Sequence, residues 1–125
     1  MANHDLKVFC GRSNLAFASA VGDRLSEICG EVVTVPCVTS SFRDGEKFAE
    51  LPESVRRADV YLIQSTHQPD GNAMELYVMC DAAKRASAGD ITAVEPYFGY
   101  GRQDRKVKPR VPITARLHAD FLAVA

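Results

Sequence analysis

The sequence lacks three features that would assign it at once to a broad class of protein. Its 125 residues carry a formal net charge of only -1, which gives no global signal for binding nucleic acid or a membrane surface. No apolar run approaches the roughly 18 residues that a transmembrane helix needs. The N-terminus has neither a basic region nor a long apolar core, so we expect no signal peptide and a cytoplasmic location.

Two common binding motifs are also missing. The four cysteines, at positions 10, 29, 37 and 80, never form a Cys-x-x-Cys pair, and each lies in or at the end of an apolar stretch. We therefore interpret them as small buried thiols in a reducing compartment rather than as metal or redox ligands. No Gly-x-x-x-x-Gly-Lys-Ser/Thr loop occurs, so the chain is not a P-loop nucleotide binder.

What the sequence does contain is an alternation of strand-like and helix-like segments. Apolar runs predict strands at 6–10, 32–38, 47–51, 60–64 and 91–94, and helical spacing predicts helices at 15–28, 73–88 and 113–124. This order predicts one α/β domain with a three-layer, mostly parallel sheet. Ligands of such sheets bind beyond the carboxyl ends of the strands, which directs attention to the residues from 65 and from 96 onward.

Individual residues refine these helices. We expect Asn14 or Ser13 to cap the first helix and Gly30 to end it, and we expect Gly89 to close the second. Pro112 stands at the start of the third helix. Ile113, Leu117, Phe121 and Val124 form an apolar stripe on one face of it, and we expect this helix to leave apolar surface open where a second domain would pack.

The densest cluster of charge follows the last predicted strand. Residues 96–110 read Pro-Tyr-Phe-Gly-Tyr-Gly-Arg-Gln-Asp-Arg-Lys-Val-Lys-Pro-Arg, with five cations and one acid. Arginine forks match phosphate oxygens, lysine adds a point charge, and the aromatic rings can stack on a base. The segment therefore predicts a nucleotide site. A solvated charge run and a groove for single-stranded nucleic acid are the alternatives.

Two further segments offer polar groups. In the run Phe-Arg-Asp-Gly-Glu at 42–46, a glycine permits a tight turn, the ring could stack on a base, and an acid could accept from an amino group. A solvated turn is the alternative. Residues 64–67, followed by Asn72 and Glu75, could place a helix N-terminus against an anion. His67 there is either a catalyst or an exposed loop residue.

Taken together, these segments resemble ribose-phosphate pyrophosphokinase, also called phosphoribosyl pyrophosphate synthetase. The most specific match is Pro-Tyr-Phe-Gly-Tyr-x-Arg-Gln-Asp-Arg from Pro96, and further matches lie at 42–46, 53–56, 59–66, 74–76 and 84–88. The resemblance implies a phosphoribosyltransferase-like N-terminal domain over residues 1–125. It implies an enzyme that transfers the diphosphoryl group of Mg-ATP to ribose 5-phosphate, giving AMP and phosphoribosyl pyrophosphate.

The resemblance also implies which residues bind ligands. Six are implied to contact ATP: Phe42, Asp44, Glu46, Arg102, Gln103 and Arg105. The first three would clasp the adenine from a neighbouring subunit, which implies a homo-oligomer, and the last three would act within the same subunit. Arg56 is similar to an arginine that binds the phosphates of an allosteric effector. Neither nucleic acid nor a membrane is an expected partner.

Some family features are absent from this sequence or altered in it. The resemblance implies no catalytic residue and no metal ligand here, because those groups follow Ala125 in the family, and His118 is not the metal-binding histidine. Mg²⁺ would therefore arrive as Mg-ATP. Arg57 stands in place of a customary glycine, and Glu95 in place of an apolar residue. We expect Glu95 to be paired or exposed, since burying it unpaired would cost several kcal/mol.

The C-terminus bears on the choice between two functions. The chain stops in the apolar sequence Phe121 to Ala125 without a polar tail, which favours a truncated enzyme that is inactive alone. The alternative is a stand-alone, non-catalytic module that binds and modulates a full-length synthetase. A nucleic-acid-binding module is a third possibility, and it predicts binding that weakens steeply with salt.

Overall fold

Strands and helices alternate in the computed structural model, which describes residues 5–125. His4 and the rest of the first four residues, on which part of the signal-peptide prediction rests, lie outside that range. The strands are β1 (Leu6–Cys10), β2 (Thr39–Ser41), β3 (Lys47–Ala49), β4 (Asp59–Ile63) and β5 (Asp90–Val94). The helices are α1 (Leu15–Cys29), α2 (Gly71–Arg85) and α3 (Thr114–Val124). Within the described range, no helix is long and apolar enough to cross a membrane.

The central sheet is parallel and has the order β1-β4-β5. Val8 pairs with Tyr61, and Tyr61 pairs with Thr92, so the three strands run in register. β2 and β3 form a separate antiparallel hairpin. Because all three central strands point the same way, their carboxyl ends meet at one edge, which we call the carboxyl edge. The predicted α/β fold with a mostly parallel sheet is confirmed.

A helix packs against each face of the sheet. On one face, Phe9 and Leu62 join the α2 residues Leu76 and Met79 in the larger core cluster. On the other face, Val8, Cys10 and Ile63 pack around Ala18 of α1. Successive residues of a strand point to opposite faces, so each strand feeds both clusters and three layers result.

The predicted boundaries of α1 are confirmed, but the predicted end of α2 is wrong. The Asn14 side chain accepts from Phe17 N at 3.2 Å, and Gly30 ends α1 in the left-handed region with φ 73°. α2 stops at Arg85, four residues before Gly89. Ser87 takes the left-handed conformation there, with φ 65°. Gly89 instead allows a close approach, because a Cβ on it would lie 2.8 Å from the Arg57 carbonyl oxygen.

The predicted strand at 32–38 is wrong except near its end. Cys10 N donates to Pro36 O and Val38 N donates to Cys10 O, both at 3.0 Å, so Cys37 forms an isolated bridge beside β1. Pro36 has no N–H for the next ladder bond, which would run toward Val8. The β-branched residues before it therefore form no strand, and Val33 N instead donates to Ser26 Oγ of α1 at 2.8 Å.

The apolar stripe of α3 is open to solvent, as expected. The stripe residues Ile113, Leu117, Phe121 and Val124 are 37%, 48%, 49% and 77% exposed. The buried side carries His118, and the partly buried Leu122 and Ala125 pack against the larger core cluster. Helical spacing identifies an apolar stripe but does not say which face the rest of the protein covers.

The cysteines are only half as predicted. Cys10 and Cys80 are buried, whereas Cys29 and Cys37 are exposed, so the expectation of four buried thiols is wrong for two of them. Burial raises the pKa of the Cys80 thiol to about 11. Of the exposed pair, Cys29 is the last residue of α1 and Cys37 lies at the irregular sheet edge.

Candidate nucleotide-binding site

The aromatic part of the 96–110 segment lies across the carboxyl edge, directly against the end of β4. Thr66 N donates to Tyr97 O at 3.0 Å, and Gly99 N donates to Thr66 Oγ1 at 2.8 Å. A Cβ on Gly99 would lie 2.0 Å from the Thr66 carbonyl oxygen, so only glycine fits. The sheet-edge argument from the sequence therefore located this segment correctly.

A buried polar cluster supports the segment from below. Thr66 Oγ1 donates to Glu95 Oε1 at 2.8 Å, and His118 Nε2 lies 2.6 Å from the same oxygen. The Glu95 and His118 side chains are 8% and 4% exposed. Tyr77 Oη is 2.5 Å from His118 Nδ1, and the Phe98 ring meets the imidazole edge-on, with centroids 4.8 Å apart. We call these residues the support cluster.

The support cluster confirms the prediction for Glu95 and includes His118, a residue to which the sequence analysis gave no role. Glu95 is paired, as expected for a charge at that position. Burial, with the nearby Glu95 carboxylate second, raises the pKa of Tyr77. His118 received no role from the sequence. Two features of the sequence could have indicated this role. Glu95 is an acid at a strand end that needed a partner, and His118 lies on the next helix along the chain.

The cationic part of the segment faces solvent. Every residue from 101 to 110 is exposed, and Asp104 lies 3.5 Å from the Arg105 guanidinium. Gln103 is held more firmly, since its Oε1 accepts from Thr114 Oγ1 at 2.9 Å and its carbonyl accepts from Ala115 N at 3.1 Å. The start of α3 thus fixes the position of this glutamine while the cations stay extended.

A cleft of about 660 Å³ opens between these two parts. Tyr97, Phe98, Tyr100, Arg102 and Gln103 contribute to its walls. The volume lies within the range of about 300–1,000 Å³ that is usual for small-molecule sites. The cleft combines aromatic faces, an arginine fork and an amide, which are the groups that a nucleotide requires.

The predicted adenine-clasping residues lie on the tip of the β2–β3 hairpin. Gly45 adopts φ 95°, and Phe42 N donates to Glu46 O at 2.8 Å. Asp44 Oδ1 accepts from Glu46 N at 3.0 Å. Phe42 is 54% exposed and is not among the residues that line the cleft. The structure therefore brings the hairpin residues together with one another, but not with Arg102, Gln103 and Arg105.

A second buried network anchors the hairpin to the carboxyl edge. Glu75 Oε1 accepts from the Arg12 guanidinium at 2.6 Å, and the same Arg12 nitrogen donates to Ser41 Oγ at 2.7 Å. Gln64 Nε2 donates to Glu75 Oε2 at 2.8 Å. Burial pushes the pKa of Glu75 upward, but hydrogen bonds from Arg12 and Thr39 outweigh it and hold the pKa below its usual range. We call this set the anchor network.

The anchor network changes the interpretation of the predicted anion site. Gln64 and Glu75 turn inward and bind each other, so they do not face a ligand. A buried carboxylate in the first turns of α2 also opposes an anion there. His67 is exposed, with its ring edge-on to Tyr97 at a centroid distance of 6.2 Å. The anion-site hypothesis therefore has no support from these contacts.

Arg56 lies at the edge of the sheet opposite to the carboxyl edge. It precedes β4, at the amino edge of the sheet, and forms an isolated bridge with Ala88. Its neighbour Arg57 adopts φ 60°, a conformation that favours the glycine implied there by the family resemblance. An effector bound at Arg56 would thus occupy a separate site.

No metal site is evident in the part of the chain that the structure describes. Within residues 5–125, no three His, Cys, Asp or Glu side chains lie close enough together to hold a metal ion.

Comparisons with known proteins are consistent with this geometry. A family model described as the N-terminal domain of ribose phosphate pyrophosphokinase matches residues 6–125. Ribose-phosphate pyrophosphokinases of Shewanella oneidensis and Clostridium tetani are 51% and 49% identical over 121 and 124 residues. The crystal structure of phosphoribosylpyrophosphate synthetase from Mycobacterium smegmatis is 38% identical with a TM-score of 0.80, over 96% of this chain and 39% of that one. The chain covers 37% and 36% of the two curated relatives.

Proposed function

This chain belongs to the ribose phosphate pyrophosphokinase family through its N-terminal domain, and on that premise we propose that it supplies the ATP-contacting surface of a diphosphoryl transferase. The reaction moves the diphosphoryl group of Mg-ATP to ribose 5-phosphate and yields AMP and phosphoribosyl pyrophosphate. One observation carries the proposal, namely the cleft in which Tyr97, Arg102 and Gln103 meet at the carboxyl edge. A second domain, which follows residue 125, holds the remaining groups.

The chemistry of phosphoryl transfer suits these residues. Such reactions depend on positioning and charge neutralisation more than on a covalent catalyst. Arg102 and Arg105 offer exposed guanidinium forks to the phosphate oxygens. Gln103 already accepts from Thr114 through its oxygen, so its amide N–H groups are left to donate to the nucleotide. This chain thereby binds and orients ATP.

The metal belongs to the substrate rather than to this domain. Mg²⁺ bound to the ATP phosphates neutralises developing charge during the transfer. The chain's own contribution is the run of exposed cations after the cleft, which adds to that neutralisation. The protein ligands for the metal are proposed to lie in the second domain.

The hairpin is proposed to act on a neighbouring subunit. Phe42 is exposed at the tip and is not part of the cleft wall of its own chain, which supports adenine binding in trans by Phe42, Asp44 and Glu46. The functional enzyme is then a homo-oligomer in the cytoplasm. Arg56, at the opposite edge of the sheet, is proposed to bind effector phosphates. The stand-alone modulating module has no observation of its own in its favour.

Two measurements on the isolated chain test the proposal. A coupled assay with ATP and ribose 5-phosphate should detect no AMP, because the second domain is missing. Titration with ATP, followed by nitrogen–proton NMR, should shift amide signals of residues 97–105 with weak affinity. The Arg102→Ala variant should reduce these shifts, whereas Arg24→Ala, on the exposed face of α1, should leave them unchanged.

Three results would contradict the proposal. AMP formation at the rates of full-length relatives would show that the chain is complete. Micromolar ATP affinity in a proven monomer would argue against a site shared between subunits. If the ATP-induced shifts were confined to other parts of the chain, or were equal in both arginine variants, the cleft would not be the ATP site.

A further inference from the structure

Two cysteines face each other across the edge of the central sheet. Cys10 ends β1, and Cys37 is its direct partner in an isolated parallel bridge. The bridge is closed on both sides, because Cys10 N donates to Pro36 O and Val38 N donates to Cys10 O, each at 3.0 Å. The two residues thus have the separation of neighbouring strands, about 4.8 Å. Disulfides span Cα distances of about 4.4–6.8 Å, and the separation of this pair lies within that range.

The two thiols differ in access. Cys10 Sγ donates to Val35 O at 3.8 Å, and Cys37 Sγ lies 3.8 Å from Thr39 Oγ1. Cys10 is only 2% exposed and packs in the smaller core cluster, whereas Cys37 is exposed. Burial, with Cys37 second, raises the pKa of Cys10 to about 12. An oxidant in solution therefore meets Cys37 first, and Cys10 is placed to react with whatever forms on it.

We propose that Cys10 and Cys37 are an oxidisable dithiol that closes a reversible disulfide when the protein meets a peroxide. The Cys37 thiolate attacks one oxygen of hydrogen peroxide, the O–O bond breaks, and the leaving hydroxide takes a proton to become water. The product is a sulfenic acid on Cys37. The Cys10 sulfur then attacks the Cys37 sulfur, the S–O bond breaks, and a second water leaves with the Cys10 proton. Two thiols and one peroxide thus give one disulfide and two waters.

The bond would tether a segment that leads into the hairpin. Cys37 lies two residues before β2, and Cys37 Sγ is 3.8 Å from Thr39 Oγ1. Because Pro36 interrupts the ladder, this segment is joined to β1 by the two backbone bonds around the bridge and by Cys10 Sγ, which donates to Val35 O at 3.8 Å. A disulfide would therefore hold the base of the hairpin to the sheet covalently.

Peroxide treatment of the folded chain tests the proposal directly. After one equivalent of hydrogen peroxide, and before any alkylation, the intact mass of the folded chain should fall by about 2 Da, as one disulfide requires. Peptide mapping should find Cys10 linked to Cys37. Free thiols should drop from four to two, and dithiothreitol should restore all four. In urea, the same treatment should give mixed linkages, because the selectivity comes from the fold.

Matched variants separate this pair from general thiol reactivity. Cys29→Ser removes the other exposed cysteine and should leave the Cys10–Cys37 link intact. Cys37→Ser changes an exposed residue, so it should fold with an unchanged circular dichroism spectrum and form no intramolecular disulfide. The proposal is overturned if the folded chain keeps four thiols, if links to Cys29 or Cys80 dominate, or if Cys37 over-oxidises while Cys10 stays reduced.

Discussion

The carboxyl edge carries two kinds of polar residue that differ in how the protein holds them. The support cluster and the anchor network are built around buried Glu95, His118 and Glu75, whose partners lie at 2.6–2.9 Å. The predicted ATP-contacting residues, at the hairpin tip and in the cationic run, are exposed. The buried groups fix the position of the loops, and the exposed ones remain available for a ligand. A polar residue that lies near a site therefore does not necessarily bind the ligand.

Removal of a buried charge should have the largest effect on stability. Glu75→Ala would leave donors of Arg12 and Gln64 without their acceptor at the carboxyl edge. Breaking a buried pair typically costs about 3–5 kcal/mol, and we expect about 3 kcal/mol because Arg12 is partly exposed. Urea unfolding measures the loss. Glu27→Ala, which breaks an exposed pair with Arg24, serves as control and should change stability by less than about 0.5 kcal/mol. Equal losses in both variants would contradict the distinction.

A methyl group at Gly99 should have the next largest effect. In Gly99→Ala the new Cβ would meet the Thr66 carbonyl at 2.0 Å, so the aromatic loop must shift away from β4. Overpacking of this kind costs about 1–3 kcal/mol, and the value should lie near the upper end because the obstacle is backbone. At Gly101 the nearest atom would be 3.2 Å away, so Gly101→Ala should cost clearly less. Thermal unfolding of both variants provides the comparison, and the reverse order would refute it.

The anchor network should also appear in the pH dependence of stability. Since the pKa of Glu75 is lower in the folded than in the unfolded chain, its stabilising contribution is present above its ordinary value of 4.5. That contribution is lost as the pH falls through the folded pKa. Glu75→Gln should therefore be less sensitive to acid than the wild type between pH 5 and about pH 3. The free energy of unfolding of both proteins is measured in urea at each pH. If the two plots against pH run parallel, Glu75 contributes no pH dependence.

The smallest effect on stability should come from the binding surface itself. Arg102→Ala should change the free energy of unfolding by less than about 0.5 kcal/mol, since the side chain is exposed. ATP binding should nevertheless weaken by roughly 10- to 100-fold, as expected for losing a charged hydrogen bond of about 1.5–3 kcal/mol. A stability loss comparable to that of Glu75→Ala would place Arg102 among the structural residues instead.

The sequence predicted local features better than tertiary ones. The caps of α1 depend on Asn14 and Gly30 alone, and both were identified, as was the position of the aromatic loop. The pairing of Glu95 followed from the cost of burying a charge. In contrast, the predicted strand at 32–38 was wrong, because the hydrogen bond that Pro36 cannot donate outweighs the strand preference of several β-branched residues. The residues on the covered side of α3, such as Leu122, were not identified because burial depends on where α2 lies, which no spacing within α3 encodes.

The site shows the same limit. The motif residues at 42–46 and 102–105 were singled out because their composition is unusual for a bland surface, and their role in ATP binding stays a prediction. His118 was not, because its role depends on Glu95 and Tyr77, which are 23 and 41 residues away in the sequence. Gln64 and Glu75 were taken for ligand-facing groups because the sequence does not show that they satisfy each other.

The most direct test of the central claim is a chimera. Residues 6–125 would replace the matching segment of the Shewanella oneidensis enzyme, which is 51% identical over 121 residues, and AMP formation from ATP and ribose 5-phosphate would be measured. We predict an active chimera in which Arg102→Ala raises the KM for ATP and Arg24→Ala does not. A folded chimera without activity, or one indifferent to Arg102, would contradict the assignment of this cleft to ATP.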